Sequence, residues 1–230
     1  MTEATLRDEI CRIGKSLFER GYVHATAGNI SIRLEDGFLM TPTDACLGAL
    51  DPARLARMDH NGMQRSGDKA SKTFLLHTRI YKAATTYQAD TRCVIHTHST
   101  QCVALTLNQS SQSALPVTVL GTELLRAITP YFVMKVGHVP LITYHRPGAL
   151  EAADAVAEVI HRYGQAQLPI RAVMLSRLGP NVWHDSPSAA MATLEELEET
   201  AKLVSKNLLP VDALTEPQLH ELCQVFGVKW

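Results

Sequence analysis

Long apolar runs are missing from this chain. No hydrophobic stretch approaches the roughly 20 residues that a membrane span requires, so a membrane protein is not expected. Charge of one sign is missing too: 22 basic and 23 acidic residues leave a net charge of −1. No basic run interleaves with aromatics, so neither nucleic acid nor an anionic surface is an expected partner. Cysteine is sparse. The five residues Cys11, Cys46, Cys93, Cys102 and Cys223 are odd in number and hold no CxxC pair. A disulfide framework is therefore not expected, and a reducing compartment fits better. The segment from Met1 to Thr5 lacks the basic and apolar regions of a signal peptide, so the expected location is cytoplasmic. Repeats, low-complexity tracts and linkers are also lacking. A chain of 230 residues with 46% hydrophobic content is expected to form one domain over 1–230.

What is present is a regular alternation of helix and strand signals. Leu6, Ile10, Ile13 and Leu17 recur at helical spacing, which predicts a helix over 4–20 stopped by Gly21. Residues 30–34 and 38–41 read as a hairpin around Asp36-Gly37. Helix is expected over 73–87, a buried strand over 93–96, a strand over 139–144 and a helix over 149–163. Residues 172–175 and 182–184 read as a hairpin pair. Pro187 opens a helix to about Leu208, with Glu198 and Lys202 expected as an exposed i, i+4 pair. A last helix begins at Thr215, with Gln218 completing a capping box. Strands lie in the middle of the chain's pattern and helices surround them.

Five segments carry chemistry. His96-Thr97-His98 ends an apolar strand, and side chains at i and i+2 leave a strand on one face. Two imidazoles so placed chelate a metal, and strand ends feed active sites. Ala27-Gly28-Asn29-Ile30-Ser31 offers close backbone approach and two polar side chains. Thr41-Pro42-Thr43-Asp44 offers a hydroxyl and a backbone N–H at Thr43. Ser71 and Lys72 precede the helix that carries His77, where N–H groups, helix dipole and cation suit an anion. Tyr131, in Thr129-Pro130-Tyr131-Phe132, and the segment Tyr144 to Gly148 supply further polar groups. Each segment alone also reads as a turn, a cap or a core aromatic.

Taken together and in this order, the motifs resemble the class II aldolase/adducin family. Four segments resemble its 3-oxo-tetronate 4-phosphate decarboxylase branch: GDKASKTFLLH, TPYFVMKVG, YHRPG and LEELEETAKL. The resemblance implies a three-layer α/β fold with a central, mainly antiparallel sheet flanked by helices. It implies a homotetramer with sites between subunits and a small sugar-acid substrate. The implied divalent metal is bound by His96 and His98, with zinc the first choice and manganese, cobalt or nickel as alternatives. Asn29, Thr43 and Ser71 match phosphate-binding positions, with Lys72 beside them as a further cation and electrostatic stabiliser. Tyr131 matches a proton donor that reaches a neighbour's site.

Three positions depart from the family pattern. Thr73 stands where the aldolases have a base glutamate, Leu178 where a third metal histidine is usual, and Asp44 where glycine is usual. His138, His145, His184 or water are the alternatives for the third ligand. The implied reaction is decarboxylation of a 3-oxo sugar acid through an enediolate held by the metal, since a β-keto acid loses carbon dioxide without a base. The alternatives are a sugar-phosphate aldolase or dehydratase, and a non-catalytic adducin-like assembly module.

Overall fold

The computed structural model describes residues 2–107, 115–207 and 211–230. Helix α1 (Glu3–Glu19) starts where Thr2 accepts the Thr5 N–H at 3.2 Å. Its Leu6, Ile10, Ile13 and Leu17 are all buried, as their spacing requires. Strands β1 (Asn29–Leu34) and β2 (Gly37–Met40) form the expected hairpin. Two short strands, β3 (Ala56–Met58) and β4 (Gln64–Ser66), extend it to the sheet edge.

Helix α2 (Phe74–Ala84) leads to β5 (Cys93–His96) and the short α3 (Thr100–Ala104). A small hairpin pairs β6 (Val117–Thr118) with β7 (Gly121–Thr122). Then follow α4 (Pro130–Lys135), β8 (Leu141–Ile142), α5 (Leu150–Gln165), β9 (Ala172–Leu175) and β10 (Gly179–His184). Helices α6 (Pro187–Lys206) and α7 (Glu216–Phe226) complete the order.

The main sheet has eight strands in the order β4-β3-β2-β1-β5-β10-β9-β8. Its pairings are antiparallel except β8 with β9. Helices cover both faces, giving the three-layer, mainly antiparallel α/β architecture. On β5, Cys93 and Ile95 join a core with α1 and α6, through Leu6, Ile10, Ile13, Leu194 and Leu197. Val94 faces the other way, into a core with α2 and α5 that holds Ile80, Val156, Ile160, Tyr163 and Trp183. A strand buried on both faces must be apolar throughout, which is why 93–95 shows no alternation. Each fully buried aliphatic contributes about 1.5–3 kcal/mol.

Several expectations change. The strand expected over 139–144 shortens to Leu141–Ile142, with an isolated bridge from Pro140 to Glu123 before it. Helix α2 ends at Ala84, and the chain then turns through Thr85 to Gln88. Helix α6 ends at Lys206, and Leu208 lies outside the described residues. The exposed pair Glu198 and Lys202 does not form. Glu198 is only 5% exposed. Its carboxylate accepts the N–H groups of Gln101 at 2.9 Å and Cys102 at 3.1 Å, capping α3. Lys202 reaches Glu199 instead, at 3.0 Å. The orphan N–H groups at a helix start compete for the carboxylate more strongly than a mobile ammonium does. Among the described residues no helix is long and apolar enough to cross a membrane.

Candidate active site

The site lies where the sheet's central strands end. Asn29 on β1, His96 on β5 and Asn181 on β10 are direct cross-strand partners, so their side chains share the α2–α5 face. His98 follows two residues after His96, and the two rings stand 5.0 Å apart between centroids. The backbone around them is packed too tightly for side chains. A Cβ at Gly179 would lie 1.9 Å from the Thr97 carbonyl oxygen, and one at Gly28 would lie 3.0 Å from that of His96. Both glycines hold positive φ, +140° and +85°. What approaches Gly28 closely is therefore the chain itself.

A cavity of about 280 Å³ opens over the pair. Asn29, Thr43, Ser71, Lys72, His96 and His98 all line it, so the structure brings these six expected residues together. Asp44, Thr73 and Leu178, the three departures, line it as well. Asp44 holds φ +55°, a conformation that glycine adopts freely and aspartate tolerates. Tyr131 lies outside this cavity and is 62% exposed at the start of α4.

The anion-binding expectation needs one correction. The Thr43 N–H donates to the Lys69 carbonyl at 2.8 Å, and the Ser71 N–H to that of Thr41 at 3.2 Å. Those two amides are spent within the chain. The groups left for an anion include the hydroxyls of Thr43 and Ser71, the amide of Asn29 and the exposed Lys72. Ser71 shares its hydroxyl with that of Thr73 at 2.9 Å.

The histidines suit a metal in their charge state. Burial, reinforced by His98, pushes His96 down to about 3, and burial with His24 nearby lowers His98. Both are neutral imidazoles at neutral pH. His96 Nδ1 donates to the Pro180 carbonyl at 2.9 Å, which leaves the Nε2 lone pair as its donor. His96 and His98 thus fit the implied divalent metal as a two-nitrogen pair. Among the described residues no group of three His, Cys, Asp or Glu side chains is placed to hold a metal.

The expected substitutes for a third ligand divide. His145 lines the cavity. His138 is held by Glu123 at 2.7 Å and stacks on Trp230 at 4.3 Å. His184 pairs with Asp185 and lines a different cavity.

Sequence reasoning gave no site role to three further residues beside or in the cavity. His77 is fully buried beside the site, with Nδ1 at 2.7 Å from the Ser31 hydroxyl and Nε2 without a partner among the described residues. Burial, with His96 close by, pushes it down to about 3. Its signal was the buried face of α2, shared with Ile80, Tyr81 and Ala84. Asn181 is buried, with both amide atoms lacking partners among the described residues. Arg146 lines the cavity and forms no ion pair among the described residues. Asn181 carries no signal in a single sequence, whereas Arg146 lies in the Tyr144 to Gly148 segment that the sequence marks out.

The comparisons with known proteins agree with this architecture. Residues 8–205 match the family described as Class II Aldolase and Adducin N-terminal domain. The chain is 47% identical to a 3-oxo-tetronate 4-phosphate decarboxylase of Cupriavidus necator, over 100% of this chain and 99% of that one. It is 40% identical to the protein of the same name in Escherichia coli, over 96% of each. The crystal structure of YgbL from Escherichia coli superimposes with a TM-score of 0.82 at 38% identity, covering 96% of this chain and 98% of that one. From the sheet order, the placement of the histidine pair and these likenesses together, the chain belongs to the class II aldolase and adducin family.

Proposed function

We propose that this protein is a carbon–carbon lyase that decarboxylates a 3-oxo sugar acid phosphorylated at its far end. The observation that carries the reading is the full-length likeness, at 47% identity, to a relative named for that reaction. The cavity supports it by gathering the cations Lys72 and Arg146, the hydroxyls of Thr43 and Ser71 and the imidazole pair in one lining.

The chain's own residues divide the work. Lys72, with Asn29, Thr43 and Ser71, holds the phosphate by charge and hydrogen bonds. Arg146, on the loop before α5, orients the carboxylate. Leu175 and Leu178 form an apolar wall. A carboxylate pressed against such a wall loses hydration, which favours its departure as neutral carbon dioxide. The electron pair of the breaking bond passes into the ketone. When bound, the divalent metal supplies Lewis-acid polarisation of that ketone, with zinc the first choice for two imidazoles.

A proton then reaches the carbon that lost the carboxylate. We assign this step to Tyr131 of a neighbouring subunit in a homotetramer, a role that the family resemblance implies and that its exposed position outside its own chain's cavity supports. From a four-carbon substrate the product is dihydroxyacetone phosphate. Thr73 offers no carboxylate base, which favours this reaction over aldol cleavage. A coupled assay for carbon dioxide and dihydroxyacetone phosphate tests the reading. No release from 3-oxo-tetronate 4-phosphate, with zinc or manganese added, would overturn it in favour of an assembly module or a different lyase.

A further inference from the structure

We propose that the metal of this site binds together with the substrate and not ahead of it, because the chain supplies only half of the donors a stable site needs. The proposal rests on the reading of the chain as a metal-dependent lyase and specifies how that metal is held. Zinc in a settled protein site takes four donors, and a catalytic site usually draws three from the protein. Here the protein provides the two imidazoles of His96 and His98, and no group of three His, Cys, Asp or Glu side chains is placed to hold a metal among the described residues.

The turn between β9 and β10 approaches the pair closely. The backbone at Gly179 comes so near that a Cβ there would sit 3.2 Å from the His98 Cα. The residue before it is Leu178, which lines the cavity and packs on the apolar core beneath. That flank is thus closed by a hydrocarbon. On the other flank, the Thr73 hydroxyl is engaged with Ser71 at 2.9 Å.

Charge acts in the same direction. Lys72 and Arg146 line the cavity without ion pairs among the described residues, and Asp44 is the single carboxylate in its wall. A free dication entering this cavity meets net positive charge. A substrate carrying a phosphate and a carboxylate reverses that field. Its adjacent ketone and hydroxyl oxygens also supply two donors, and two plus two completes four. Binding of metal and of substrate is then mutually favourable, and the coupling is the same from either side.

Zinc titrated calorimetrically into metal-free protein, with and without saturating dihydroxyacetone phosphate, tests this. A blank titration of zinc into dihydroxyacetone phosphate alone is subtracted. The expected result is one zinc per chain, with a Kd that falls about 5–150-fold when the ketone phosphate is present. Leu178→His should raise zinc affinity more than about tenfold without the ketone phosphate and shrink its effect, as a third imidazole beside His98 would. His98→Ala should abolish both. Equal zinc affinity with and without dihydroxyacetone phosphate overturns the proposal. So does a folded Leu178→His protein with unchanged affinity. If that variant does not fold, the paired titrations of the unaltered protein decide alone. Failure of the lyase reading shows separately, as ketone phosphate-coupled zinc binding without carbon dioxide release in the decarboxylation assay.

Discussion

Replacing Glu198 by alanine should cost this fold about 3 kcal/mol, and the number separates two accounts of the same residue. On the face of helix α6 the glutamate stands four residues before Lys202, and an exposed i, i+4 pair is worth about 0.3–0.5 kcal/mol. In the structure its side chain is buried under α3 and its two oxygens each accept a backbone N–H, at 2.9 Å from Gln101 and 3.1 Å from Cys102. Hydrogen bonds to a charged group contribute about 1.5–3 kcal/mol each, and twice the lower figure gives the estimate. Little of this is recovered by solvent, because Cys102 is fully buried and water cannot replace the carboxylate there. Helix α3 begins two residues after His98, so the same loss loosens the metal pair. Urea unfolding of Glu198→Ala, Glu198→Gln and Lys202→Ala measures the effect. Glutamine keeps one acceptor oxygen and should recover part of the loss, while Lys202→Ala should stay within about 0.5 kcal/mol. A Glu198→Ala protein that loses no more than Lys202→Ala would refute the capping role.

Three further outcomes are expected. The buried imidazoles of His77 and His96 are pushed down to about 3, so the unfolded chain takes up their protons first as pH falls. Stability should therefore be full above about 6.5 and decline between 6.5 and 3, by about 1.4 kcal/mol per pH unit for each histidine in metal-free protein. Urea midpoints at a series of pH values check this, and His77→Gln should remove its share of the slope. Lys72→Ala should raise KM for the phosphorylated substrate about tenfold, the low end for a charged hydrogen bond because the ammonium is exposed. Steady-state kinetics with phosphorylated and unphosphorylated substrates will show whether the loss is confined to the former. Tyr131→Phe should lower kcat about 10²–10⁴-fold and leave zinc binding unchanged, measured by turnover beside zinc titration. A full rate in Tyr131→Phe would move the proton donor elsewhere.

Much of the architecture was legible in the sequence because it is governed by local rules. The periodicity of Leu6, Ile10, Ile13 and Leu17 specifies a helix and its inward face whatever packs on it. The Asp36-Gly37 turn specifies the first hairpin. The unbroken apolar run of 93–95 specifies a strand buried on both sides, and spacing alone puts His96 and His98 at its end. The short elements α3, α4, β3, β4 and the β6–β7 hairpin were not legible. Segments of two to six residues span too few periods to leave a pattern, and their backbones are held by neighbours such as the Glu198 carboxylate.

Sequence by itself determined which residues form the elements and which imidazoles stand together, because both follow from contacts within a few positions. Only the tertiary structure decided what surrounds that pair. It set Asn29 and Asn181 on either side of His96, because strand register links residues 67 and 85 positions from it through the hydrogen-bonded sheet. It pressed the Gly179 turn against His98 and so put the side chain of Leu178 in the cavity wall. It left Tyr131 outside, and turned Glu198 from an exposed helix face into a buried cap. Each of these depends on how elements distant in the chain pack against one another. A hydrocarbon or a carboxylate has the same local propensity whether its neighbour across the fold is water, a metal ligand or an orphan N–H.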